Sequence, residues 1–164
     1  MSTHTQSPGG YNSAPFEVWP AILRDSVKEV FSMMVGAEIV LPDQADPPVV
    51  TEVTGMVGLA GELCGVLSLR CGRHCAAKVA SKMLRVPITE AASHMNDAIG
   101  EICNMVAGNF KAKLHGIQDK CMLSVPTIIT GGDYQLFSVA VGDRMELLFL
   151  FDGEPVWIGL EIRN

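Results

Sequence analysis

Apolar residues recur along this 164-residue chain with two different rhythms, and each rhythm marks an element. Trp19, Ile22, Leu23, Val27, Val30, Phe31 and Met34 follow at helical spacing. Pro20 falls where the first helical turn needs no N–H, and Gly36 supplies a stop, so the spacing predicts a first long helix. The proline-rich stretch 42–48 ends regular structure, and residues 49–71, rich in Val, Leu and Gly, read as two strands turning near Ala60 and Gly61. A shorter helix is predicted over 72–84, ending before Pro87, and a second long helix over 91–114. Four β-rich runs follow, at 122–130, 136–141, 145–151 and 156–162, separated by Gly-Gly-Asp, Gly-Asp and Asp-Gly turns. They predict a C-terminal meander whose strands pair antiparallel. Residues 1–15 are polar and read as a mobile tail, leaving 16–164 as a single domain.

One helix segment occurs twice. Aligned without a gap, Asp25, Glu29, Met33 and Gly36 of the first long helix match Asp97, Glu101, Met105 and Gly108 of the second. The copies start 72 residues apart, which is too long for a solenoid unit and suits an internally duplicated domain. The expected fold is therefore α+β, a duplicated domain with two long helices packed on an antiparallel sheet. The copies differ at one telling place, Ser32 against Asn104, so a site built from a glutamate and a carboxamide is complete only in the second half.

Composition narrows the function. A chain of this length buries roughly 70% of its unfolded surface and needs no staple. Its five cysteines, odd in number and irregularly spaced, read as reduced thiols in a reducing compartment. Twelve basic against eighteen acidic residues give a net charge of -6 with no Lys/Arg cluster, which argues against nucleic acid as a partner. No run approaches the ~18 apolar residues of a membrane span, and the N-terminus has no apolar leader, so a cytoplasmic protein without membrane contact is expected.

At about 100° per residue, Met95, Ile99, Ile102, Val106 and Phe110 form a core stripe, while Asp97, Glu101, Asn104 and Gly108 share an arc of roughly 60° that Lys111 extends. Glu101 and Asn104, at i and i+3, are neighbours that point the same way. An asparagine is no base or nucleophile near neutral pH, yet its carboxamide can hold a water while donating elsewhere. Phosphoryl transfer is a reaction in which such positioning carries much of the catalysis. Gly100 and Gly108 border the row, each costing about 1 kcal/mol relative to alanine in a helix, which suggests a need for close approach.

The pattern Asp-x-x-x-Glu-x-x-Asn on a long helix, with a degenerate echo before it and β-hairpins after each copy, resembles the CheC/CheX/FliY family of chemotaxis phosphatases, over about residues 16–164. One intact copy makes the chain most similar to the CheX branch. The resemblance implies a phosphatase that removes the phosphoryl group from the aspartyl phosphate of a CheY-type response regulator. Asn104 would orient the attacking water and Glu101 would pair with the regulator's active-site lysine, with Asp97 and Gly108 in support. The Mg2+ ion would belong to the partner, the chain itself binding no cofactor, and a homodimer joined through its sheets is implied. Asp25 and Glu29 match the motif but Ser32 departs from it. A non-catalytic binding module is the alternative, since flagellar switch components share the fold.

Other candidates weigh less. Glu161 and Asn164 repeat the Glu-x-x-Asn spacing on a terminal strand, where the two would not share a face. Cys71, His74 and Cys75 could suggest a metal-binding regulator but lack a second ligand pair. His94 and His115 read as surface residues, and the glycines at 55, 58 and 61 lack the Gly-Lys-Ser/Thr of a phosphate loop.

Overall fold

The computed structural model of the chain describes residues 17–43, 51–132, 134 and 142–163. Helix α1 (Trp19–Val30) runs into a π-helical turn (Phe31–Val35), and Gly36, in the left-handed conformation at φ 67°, ends it. Strands β1 (Val53–Gly61) and β2 (Gly65–Cys71) form a hairpin, followed by α2 (Arg73–Leu84). A short α3 (Ile88–Ala91) and a 3-10 turn (Ala92–His94) lead into α4 (Met95–Ala112). The chain finishes with β3 (Cys121–Leu123), β4 (Thr127–Thr130), β5 (Gly142–Phe151) and β6 (Glu154–Arg163).

All pairings are antiparallel, in the order β3-β1-β2-β6-β5, with β4 beside β3 on the free edge of β1. The expected α+β class with an antiparallel sheet is what forms. The expected meander is corrected. Among the described residues of this part only β5 and β6 are joined as a hairpin, through the left-handed residues Asp152 and Gly153, while β4 and β5 stand on opposite sides of the sheet with β1, β2 and β6 between them. Turn residues announce that a chain reverses but carry no information about which distant strand it will join, and the β1–β2 hairpin claims the central place. The run expected at 136–141 lies outside the described residues, as do the tail 1–15 and residues 49–50.

Helices α1, α2 and α4 lie together over the sheet; the fold expectation named two long helices, and α2, the shorter helix expected over 72–84, packs against α4 and is as long as α1 at 12 residues. Alternation along the strands explains the core between the layers: Val53, Val57, Leu67, Leu69, Phe149, Val156, Ile158 and Leu160 point to the helices and are buried. Leu23, Val27 and Val30 answer from α1, Phe31 from the turn after it, and Ile99, Ile102, Val106 and Phe110 from α4. The predicted core stripe of the second long helix is thus buried in full, Met95 included. Trp19 meets Phe110 edge to face, with centroids 6.0 Å apart, and Phe31 meets Phe151 at 5.7 Å, fixing α1 against both α4 and the last hairpin. Gly55 is what lets α4 lie so close to β1, because a side chain there would press on Ile99 Cγ2 at 3.1 Å and Cys103 Cβ at 3.4 Å.

The opposite face of the sheet has no helix among the described residues. Across it Arg70, Trp157 and Leu148 stand in one row, each partly exposed, with ion pairs Arg70–Glu146 and Arg144–Glu161 around them.

Candidate functional site

Helix α4 presents the polar row as its outer face. Asp97 and Glu101 are exposed and Asn104 is half-buried, so the periodicity orders them correctly. No described residue makes a hydrogen bond or ion pair with the side chains of Asp97, Glu101 or Asn104. Asp97 lies in the first turn, where a negative charge is favoured by the helix dipole, and Lys111 in the last turn, where a positive one is. The two glycines part company. Gly100 is buried, and a Cβ there would touch Pro126 and Ile128 at 3.6 Å, so it serves packing and does not border the open row as expected. Gly108 is half-buried with only Leu123 Cδ1 near, at 3.9 Å.

The first copy is engaged differently. Glu29 is exposed on α1, but its carboxylate accepts hydrogen bonds from Lys113 Nζ at 2.7 Å and Asn109 Nδ2 at 3.1 Å, both from α4. Those bonds, Lys113 first, hold the Glu29 carboxyl below its ordinary range. Ser32 lies in the π-helical turn that follows α1, exposed and on the same groove as Glu29. Asp25 remains exposed. Beside Glu29 and Ser32 opens a groove of about 590 Å³, lined also by Lys28, Met33, Glu38 and Val40, which no sequence pattern announced. Nor was Lys113 foreseen, since it meets Glu29 from 84 residues away.

The thiols are structural. Cys71 and Cys75 are buried together; the Cys75 thiol hydrogen-bonded to Cys71, and burial after it, push the Cys71 thiol well up. Burial pushes Cys103, on α4, up to about 12. His74 turns outward to Glu154 at 3.1 Å instead of joining Cys71 and Cys75, so the metal reading of that cluster loses its third ligand. Among the described residues no group of three or more His, Cys, Asp or Glu side chains is arranged to hold a metal ion. Glu161 pairs with Arg144 at 3.0 Å, and Asn164 lies outside the described residues. No described helix is long and apolar enough to cross a membrane.

The family model for the chemotaxis phosphatase CheX matches residues 53–149, a span that contains β1, β2, α2 and all of α4. The chain belongs to the CheX family. Solved structures agree on the CheX fold. The CheX chain in the CheX–CheY–BeF3–Mg2+ complex from Borrelia burgdorferi is 23% identical, with a TM-score of 0.73 over 89% of this chain and 98% of that one. Chemotaxis protein CheX from Vibrio vulnificus is 19% identical, with a TM-score of 0.73 over 94% and 100%. FliY from Thermotoga maritima, at 16% identity, reaches 0.62 over 92% of each chain. A search of curated protein sequences finds no match.

Proposed function

We propose that this CheX-family chain hydrolyses the aspartyl phosphate of a CheY-type response regulator, using Glu101 and Asn104. The observation that carries the reading is the contrast between the two motif copies. Glu101 and Asn104 lie one turn apart on α4 with no described partner, whereas Glu29 is already bound to Lys113 and Asn109. A free carboxylate beside a free carboxamide is a pair held ready for another molecule.

Glu101 docks on a lysine of the regulator, fixing α4 over the phosphorylated aspartate. The half-buried Asn104 accepts a hydrogen bond from a water through Oδ1 and keeps Nδ2 to donate to a phosphoryl oxygen. The water attacks phosphorus in line, the P–O bond to the aspartate breaks, and inorganic phosphate leaves as the carboxylate is restored. Mg2+, held by the regulator, offsets charge on the phosphoryl oxygens. Asp97 adds negative charge at the start of the helix, favouring approach of the same cation that Glu101 meets, and Gly108 keeps the end of the row low.

The two copies read as an internal duplication in which only the second kept the site. The sheet face left without a helix among the described residues, with Trp157 and Leu148 partly exposed on it, supports a homodimer formed through the sheets. Sedimentation equilibrium reads that state directly.

The test is Mg2+-dependent loss of phosphate from a phosphorylated CheY-type regulator. Wild type accelerates the loss, and Asn104→Ala removes about 10²-fold or more of that acceleration. Activity that survives in Asn104→Ala while Glu101→Ala abolishes binding overturns the hydrolytic role and favours a binding module, a second reading that the fold shared with FliY supports.

A further inference from the structure

Strands β3 and β4 are one edge strand interrupted by a bulge. Leu123 pairs with Leu59 and Thr127 with Met56, so Ser124, Val125 and Pro126 stand opposite only Val57 and Gly58. Ser124 keeps to the ladder: its N–H donates to the Gly58 carbonyl at 2.9 Å, and its Oγ accepts from the Gly58 N–H at 2.8 Å. Val125 and Pro126 are therefore the residues displaced, and Pro126, with no N–H to give, occupies one of the few places in a sheet that tolerate proline. Bulges of this kind re-aim a side chain. Here the result is that Val125 stands 84% exposed, more than any other large apolar side chain among the described residues.

The place it is raised matters. The edge strand runs alongside α4 in the opposite direction: Pro126 packs at the level of Gly100, and Leu123 at the level of Gly108. Val125 lies between them, level with the turn that carries Glu101 and Asn104. Exposed valines scattered singly are ordinary, but this one is lifted by a backbone irregularity next to the unpartnered polar pair.

We propose that Val125 is a docking residue, contacting an apolar patch of the receiver domain next to its phosphorylated aspartate and so setting which regulators are accepted. The inference rests on the phosphatase reading above. A body that brings its phosphoryl group to Asn104 must cover the neighbouring edge strand. Glu101 selects charge there, which every receiver with an active-site lysine supplies, while Val125 selects surface shape and polarity, which differ between receivers.

Met122 is the internal control. It is 76% exposed on the same edge strand, but it pairs with Ala60 and so points to the other face of the sheet, at the edge and three strands away from the Trp157 patch proposed for the dimer. Steady-state phosphate release is measured for wild type, Val125→Asp, Val125→Ser and Met122→Asp, with binding of each to the beryllofluoride-loaded receiver measured in parallel. Val125→Asp raises KM and Kd by about ten-fold and leaves kcat within about two-fold, Val125→Ser shows a smaller rise, and Met122→Asp matches wild type. An unchanged KM and Kd in Val125→Asp overturns the proposal, as does an equal rise in Met122→Asp. Wild type that binds the loaded receiver without releasing phosphate overturns the phosphatase reading alone, because the Kd comparison still decides on Val125. Wild type that neither binds nor hydrolyses removes both. Thermal unfolding of the variants confirms the fold, which an exposed bulge residue leaves intact.

Discussion

Asn104→Ala should separate stability from activity, and the structure fixes the sign of each. The side chain bonds to no described residue, so its removal breaks no internal hydrogen bond. It stands in the interior of an 18-residue helix, where alanine is the better helix former by up to about 0.7 kcal/mol. The half-buried asparagine gives up a few van der Waals contacts in exchange, each on the order of 0.1–0.2 kcal/mol. The net change should be a gain of a few tenths of a kcal/mol, a rise in Tm of about 1–2 °C for a domain of this size. Urea unfolding followed by circular dichroism and the phosphate-release assay are run on the same preparations. The expected pair of results is unchanged or raised stability with activity lost, as when a residue is kept for function at the expense of the fold. A destabilisation beyond about 1 kcal/mol would show that Asn104 holds α4 in place, and the loss of activity would then say nothing about a water.

Two further outcomes follow from the same geometry. Lys113→Ala releases the Glu29 carboxyl, whose titration, read by NMR, should move up toward the ordinary 4.5. Because the folded-state pKa of Glu29 is depressed, its contribution to stability is present above the unfolded value and lost as pH falls through the folded one; the stability difference between wild type and Lys113→Ala should therefore shrink below about pH 4.5. A difference that persists unchanged in acid would refute the pairing. Of the five cysteines only Cys64 is exposed, so a thiol reagent should titrate one group rapidly in the native protein and all five in denaturant; rapid reaction of Cys71 or Cys75 would contradict their burial.

What could be read from the sequence is what is local. The polar row of α4 and the core stripe behind it follow from a 3.6-residue period within one segment, and both stand where the period put them. The start of that helix was harder. The helix predicted over 91–114 takes in residues 91–94, but Ala91 ends α3 and the turn at 92–94 is 3-10, with His94 at φ -108°, so α4 begins at Met95. The place of β5 on the far side of the sheet and the hold of Lys113 on Glu29 join residues distant in the chain, which no local rhythm encodes. The bulge lies between these cases. Pro126 inside the β-rich run 122–130 marks where the ladder breaks, while the apolar content of the run predicts a strand straight across it.

On the proposed duplication, the clamp on Glu29 bears on how a repeated domain can change afterwards. Once a side chain that could have faced a partner holds α1 to α4, reverting Ser32 to asparagine restores the letters of the motif without its chemistry. The carboxylate stays engaged with Lys113 and Asn109, and position 32 stays in a π-helical turn where Asn104 stands in an α-helix. Regaining a second working face would require releasing Lys113 and rewinding that turn together, and neither change is useful without the other. Asymmetry between the halves is thus locked in by contacts inside the fold, and persists whether or not anything selects for a single site.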